Sequence, residues 1–327
     1  MRLIKHVLAA VAACTMLSHA ARAENYPDRL VTVLVPYAPG GATDIVGRTL
    51  ADQFSKLFNQ SFIVSNKPGA FGLTAMQDLV RQPADGYNLY IGNVSTNAST
   101  PLLFQKKMNF NYDESMRLVT KLAEIPGILV TTTVNFEPKS VAELIAYAKK
   151  NPGKLNYASP GIGSYPHFDT EIFNRAAGMD VMHVPLKGGA SEMVTSLLSG
   201  ETQYGFINVA TAEAMVKAGK LRAIAAVAPQ RIKTMPDVPT MAEAGFPDIG
   251  TMQWQALYVR AGTPEPIVQK LFNASRDVMH SERTAKALAP AGVIISTSAS
   301  PQAALDWQKS EFAKWKAITN DVKVALD

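Results

Sequence analysis

Val35-Pro36-Tyr37-Ala38-Pro39-Gly40-Gly41-Ala42-Thr43-Asp44 carries an apolar strand into a Pro-Gly-Gly turn and straight on into a helix. Leu30–Val35 is an apolar, β-branched run, and within Ile45–Phe58 the residues Val46, Leu50, Phe54, Leu57 and Phe58 mark an apolar face at helical spacing. Strand, tight turn and helix in that order form the building unit of α/β folds. Adjacent glycines permit backbone angles that other residues avoid and let a ligand come close to the main chain. The free N–H groups and positive dipole end of the helix then offer an anion site. The spacing and lysine of a phosphate loop are missing. Asp44 argues the other way, because its carboxylate competes for the same positive field. Without a ligand, the stretch reads as a tight βα turn with Asp44 as the dipole partner.

The same design recurs further along. Tyr157-Ala158-Ser159-Pro160-Gly161-Ile162-Gly163-Ser164-Tyr165-Pro166-His167 follows one short strand, and Pro185-Leu186-Lys187-Gly188-Gly189-Ala190-Ser191 follows another. Three helix starts converging on one cleft would give a carboxylate ligand donors from opposite sides. The three loops contain no arginine, and Lys187 is their only cation. Further strands are expected at Phe62–Ser65, Asn88–Gly92, Ile128–Thr132, Leu155–Ala158, Val181–Val184, Tyr204–Ile207, Ala223–Ala228, Leu257–Arg260 and Val293–Ile295. Helical patterns lie at Val141–Lys150, Met193–Leu198, Pro266–Met279 and Pro301–Trp315. This alternation predicts α/β lobes with mainly parallel sheets.

The 327 residues suit two lobes, and 47% hydrophobic with 18% charged residues is a globular composition. Residues 1–23 read as a cleaved secretory signal: Arg2 and Lys5 lead, Val7 to Leu17 is apolar, and Ala21-Arg22-Ala23 is the cleavage site. Cys14 offers lipidation as the competing reading. Removing the leader takes three basic residues from 32, leaving 29 against 27 acidic, so charge makes no case for nucleic acid. It also removes the one cysteine. The remaining histidines, His167, His183 and His280, have no metal-ligand spacing.

Several ordered segments carry a resemblance. Tyr26-Pro27-Asp28-Arg29, the Val35–Asp44 stretch, Asn66-Lys67-Pro68-Gly69-Ala70 and Pro83-Ala84-Asp85-Gly86-Tyr87 come first. Gly219-Lys220-Leu221-Arg222-Ala223, Met235-Pro236-Asp237-Val238-Pro239-Thr240 and Ala261-Gly262-Thr263-Pro264 follow. Over nearly the whole chain from Tyr26 to the Trp315 region, the sequence resembles the Bug family of extracytoplasmic solute receptors, the binding components of tripartite tricarboxylate transporters. The resemblance implies a type II periplasmic-binding-protein fold, with lobe one at 24–124 plus 245–327 and lobe two at 125–244. It implies a monomeric periplasmic receptor that needs no metal or cofactor, binds a small di-, tri- or aromatic carboxylate, and delivers it to an inner-membrane permease. Tyr37, Gly40, Gly41, Ala42, Thr43 and Asp44 would form the first ligand loop, Ser95 and Thr96 a second stretch, and Gly163, Ser164 and His167 the loop of lobe two.

Two positions depart from the family pattern. Asn208 stands where many relatives carry aspartate, which predicts a site that disfavours amines, and Gln255 stands where glycine is usual. A sensory receptor signalling to a membrane kinase would share the same sequence features. An exported serine hydrolase is the enzymatic alternative, because Ser164 and His167 stand three apart, but the Gly-x-Ser-x-Gly elbow is absent.

Overall fold

The computed structural model describes residues 25–186 and 189–322. The expected leader with Cys14, and Lys187 with Gly188, lie outside the described residues. Strands β1 (Val31–Val35), β2 (Phe62–Asn66), β3 (Asn88–Asn93), β4 (Met116–Ile125), β10 (Gln253–Arg260) and β11 (Ile294–Ile295) form one sheet in the order β11-β4-β10-β3-β1-β2. Strands β5 (Gly127–Thr132), β6 (Asn156–Ser159), β7 (Met182–Pro185), β8 (Tyr204–Asn208) and β9 (Leu221–Val227) form the other, in the order β7-β6-β8-β5-β9.

Most strands of each sheet share one direction, as expected, but both sheets are mixed. In the first, β10 and the two-residue β11 run against the rest; in the second, β5 does. The reason is the way the chain changes lobes. Only Pro126 separates β4 from β5, so the chain passes between sheets without a crossover helix and joins its new neighbours antiparallel. It returns through β10.

Alternation along the strands feeds two helical layers per sheet. In the first lobe, α1 (Ala42–Phe58) packs Val46, Leu50 and Phe54 against Val33, Val35 and Ile91. On the opposite face, α2 (Leu73–Arg81) packs Met76 and Leu79 against Leu34, Tyr90 and Tyr258. In the second lobe, α3 (Val141–Lys150) and α4 (Tyr165–Ala177) cover Leu129 and Phe206, while α5 (Ala190–Ser199) and α6 (Val209–Lys217) cover Ile128 and Ile207. Each such fully buried side chain contributes about 1.5–3 kcal/mol. Helices α7 (Glu265–Met279), α8 (Glu282–Leu288) and α9 (Pro301–Asp321) complete the first lobe.

The last helix docks through tryptophans eight residues apart: Trp315 is fully buried edge-on to Phe168, and Trp307 meets Trp254 with ring centroids 4.9 Å apart. Trp254, expected just ahead of a strand, lies within β10 and donates from Nε1 to Glu311 at 2.7 Å. No helix among the described residues is long and apolar enough to cross a membrane.

The ends of β1, β3, β6 and β8 all open toward the gap between the lobes. Open α/β sheets bind ligands in this way, beyond the carboxyl ends of their strands.

Candidate functional site

The β1–α1 turn is held from behind. Helix α1 begins after Gly41, and no side chain caps it. The Asp44 carboxylate accepts from the Gly40 N–H at 2.9 Å, Arg48 Nε at 2.8 Å and Asn66 Nδ2 at 2.8 Å. Burial pushes that carboxyl up in pKa, but the bonds from Arg48, Asn66 and Gly40 outweigh it and hold it below its ordinary range. The charge that competed with the anion reading is therefore neutralised on the far side of the turn. Beside it, Asn93 at the end of β3 joins two cleft residues: it accepts from the Tyr37 hydroxyl at 3.2 Å and donates to Thr43 Oγ1 at 3.1 Å. Burial, partly offset by the Asn93 bond, raises the Tyr37 pKa to about 12, which keeps the phenol protonated.

After β3 the chain winds through a π-helical turn, Ser95–Ser99. Two hydroxyls of this turn reach across to the second lobe. Ser95 Oγ accepts the Tyr165 N–H at 3.1 Å, and Ser99 Oγ donates to the Gly163 carbonyl at 2.8 Å. Gly163 has a φ of +88°, and a Cβ there would lie 2.9 Å from Leu103 of the facing lobe, so only glycine permits this approach. Thr96 points inward and bonds to Asn93 and Asn97.

Ser164 and His167 do not form a catalytic pair. The Ser164 hydroxyl donates to the Gly161 carbonyl at 2.7 Å. His167 accepts from the Gly163 N–H at 3.4 Å and stacks on His183, whose Nε2 lies 2.7 Å from Ser159 Oγ. Burial lowers both imidazoles to about 4, and for His183 the adjacent His167 adds to that effect while Glu171 opposes it. Among the described residues, no three His, Cys, Asp or Glu side chains are placed to hold a metal ion.

Between the lobes lies a cavity of about 140 Å³. Of the residues expected at the site, it brings together Tyr37, Gly41, Ala42, Thr43, Ser95, Ser164 and Asn208. Gly40, Asp44, Thr96, Gly163 and His167 stand outside its lining, where they hold the turns just described. Phe71, Tyr165, Ser191, Thr211 and Gln253 join the wall without having been singled out as site residues, although Tyr165 and Ser191 lie in the glycine-rich loops. Three helices, α1, α4 and α5, start at this wall with no side-chain cap of their own; the leading amides of α1 and α5 remain available, whereas in α4 the Tyr165 N–H is taken by Ser95 and Pro166 has none. The fourth, α6, is capped: Asn208 Oδ1 accepts from the N–H and hydroxyl of Thr211 at 3.0 and 2.9 Å. With its oxygen so engaged, Asn208 has an N–H2 group left to offer the cavity. Among the described residues, no lining side chain is charged. The described lining is thus neutral and rich in donors, suited to an anion that hydrogen bonds and helix dipoles neutralise.

Two α/β lobes with donor-lined loops meeting at the strand ends have the architecture of a solute-binding receptor. A sequence profile described as the tripartite tricarboxylate transporter family receptor matches residues 46–324, and the chain belongs to that family, the Bug family of receptors. A UPF0065 protein of Bordetella pertussis is 32% identical over 267 residues, covering 82% of this chain and 81% of its own. The structure of Rpa4515 from R. palustris with adipate superposes with a TM-score of 0.85 at 30% identity, covering 92% of this chain and 99% of that one. MatC from Rhodopseudomonas palustris with bound malate gives 0.80 at 29% identity, covering 90% and 99%. Family and fold are those of receptors, not of enzymes.

Proposed function

We propose that this protein is a monomeric periplasmic receptor that captures a small organic carboxylate and presents it to the permease of a tripartite tricarboxylate transporter. The observation that carries this reading is the cavity at which three uncapped helices begin and whose described lining is uncharged. A carboxylate there accepts from main-chain amides near Ala42 and Thr43, from the Ser191 hydroxyl, and from the Asn208 N–H2 group. Lobe one, 24–124 with 245–327, and lobe two, 125–244, close over it about the two crossings. Adipate and malate in the two structural relatives support a dicarboxylate-sized ligand. The leader in residues 1–23 supports export.

A thermal-shift screen of the chain from Glu24 onward, against carboxylates, amino acids and aromatic acids, tests the reading. A ligand at 100 times its dissociation constant stabilises the folded state by about 2.7 kcal/mol. A shift confined to carboxylates is expected, and a shift produced by amino acids alone would contradict it.

A further inference from the structure

One polar atom on the cavity floor is an acceptor that an anion cannot satisfy. Gln253 opens β10, lines the cavity at 6% exposure, and its Oε1 is buried without a hydrogen-bond partner. Its neighbours do not meet it. Gln255, on the same face of the strand, is fully buried with both ends of its own amide unpartnered. Asn93, paired in register with Gln255, is committed to Tyr37, Thr43 and Thr96. Across the cavity the Tyr165 hydroxyl, close to Asn208, is also buried and unpartnered. A buried polar atom left unpaired is costly, and at a cavity wall a ligand group can remove that cost.

We propose, resting on the carboxylate-receptor reading, that Gln253 is a specificity-determining ligand contact that recognises a hydroxyl beside a carboxylate. The preferred ligands are then hydroxycarboxylates over their deoxy counterparts. An amide presents a donor and an acceptor side by side, whereas an ionised carboxylate offers acceptors only. A plain carboxylate satisfies the N–H2 end and leaves the oxygen orphaned; a hydroxyl next to the carboxylate donates to that oxygen and pairs both ends. Rotating the amide by half a turn exchanges the two ends but still calls for one ligand group of each kind. An ammonium group would also donate, but among the described residues the wall has no carboxylate to balance its charge.

Calorimetric titration with matched acids tests this: malate against succinate, 2-hydroxyadipate against adipate, mandelate against phenylacetate. The wild-type protein is expected to favour the hydroxylated member of the pair it binds by about 10-fold or more, the equivalent of one hydrogen bond to a buried group. Gln253→Leu and Gln253→Met should both reduce that ratio to within about 3-fold, weakening the hydroxylated acid more than the deoxy acid. Equal affinities in the wild-type protein overturn the proposal. So does a preference that survives in both variants, which would mean that water shared with Gln255 satisfies the Gln253 oxygen. If no carboxylate binds at all, the receptor reading itself falls; if carboxylates bind without discrimination, only the role of Gln253 falls.

Discussion

Arg48 Nε meets the Asp44 carboxylate at 2.8 Å, one helical turn along α1, on the side of the loop away from the cavity. The only carboxylate in the glycine turn is thus consumed in shaping it, and the amides that face the cleft keep their positive field. Asp44→Ala leaves the Gly40 N–H and one of the two Asn66 amide N–H bonds without an acceptor. A loss of about 2–3 kcal/mol is expected, together with weaker ligand binding. Urea denaturation measures the first and calorimetry the second; a variant within about 0.5 kcal/mol of wild type would show that the knot is dispensable.

Asn208 both caps α6 and lines the cavity. An aspartate would still accept from Thr211, so Asn208→Asp should fold normally. It would replace a donor by a negative charge facing the ligand. Plain carboxylates should bind at least about 10-fold more weakly and amine-bearing acids more tightly. Unchanged ligand preference by calorimetry would remove Asn208 from the site.

Acid should destabilise this fold through its buried imidazoles. An unfolded histidine takes its proton near 6.5, whereas His167 and His183 in the folded chain are held to about 4. Between those values the unfolded state binds more protons, so stability falls with pH by ~1.4 kcal/mol per unit for each imidazole. Asp169 acts in the opposite sense. Burial raises its carboxyl from 3.8 to about 7, against the two Thr251 bonds and the Lys314 charge. The folded state therefore gains stability from Asp169 as pH falls through that range. His167→Phe should lose ~1.4 kcal/mol less than wild type per pH unit between pH 6 and 4.5. Denaturation curves that run parallel for the two proteins would refute the assignment.

Sequence carried the architecture further than it carried the site wall. The β1–α1 stretch was legible because Pro39-Gly40-Gly41 punctuates two opposite periodicities. β4 was not: Arg117, Lys121 and Glu124 fall four and three apart, a helical spacing, and they are the partly exposed positions along this strand. Irregular register with β10, shifted at Gln255/Ala256 and Leu257/Tyr258, lets a strand carry that pattern, and only the tertiary partner reveals it. Tyr37, Thr43, Ser95, Ser164 and Asn208 could be named from their places at strand ends. Asp44, Thr96 and His167 share those segments yet face inward, a distinction set by single turns of backbone. Gln253 left no local signal, because its position depends on β10 returning from the other lobe between β3 and β4.

Gly41 provides the most direct test that neutral donors at the head of α1 bind the ligand. Its φ is −80°, and a Cβ built there meets nothing within 4 Å, so a side chain is accommodated without strain. Calorimetric titration of wild-type and Gly41→Asp proteins with the carboxylate that gives the largest thermal shift is the measurement. Binding should vanish in Gly41→Asp while the unfolding transition stays within about 1 kcal/mol of wild type. Undiminished affinity in a folded Gly41→Asp protein would contradict the account.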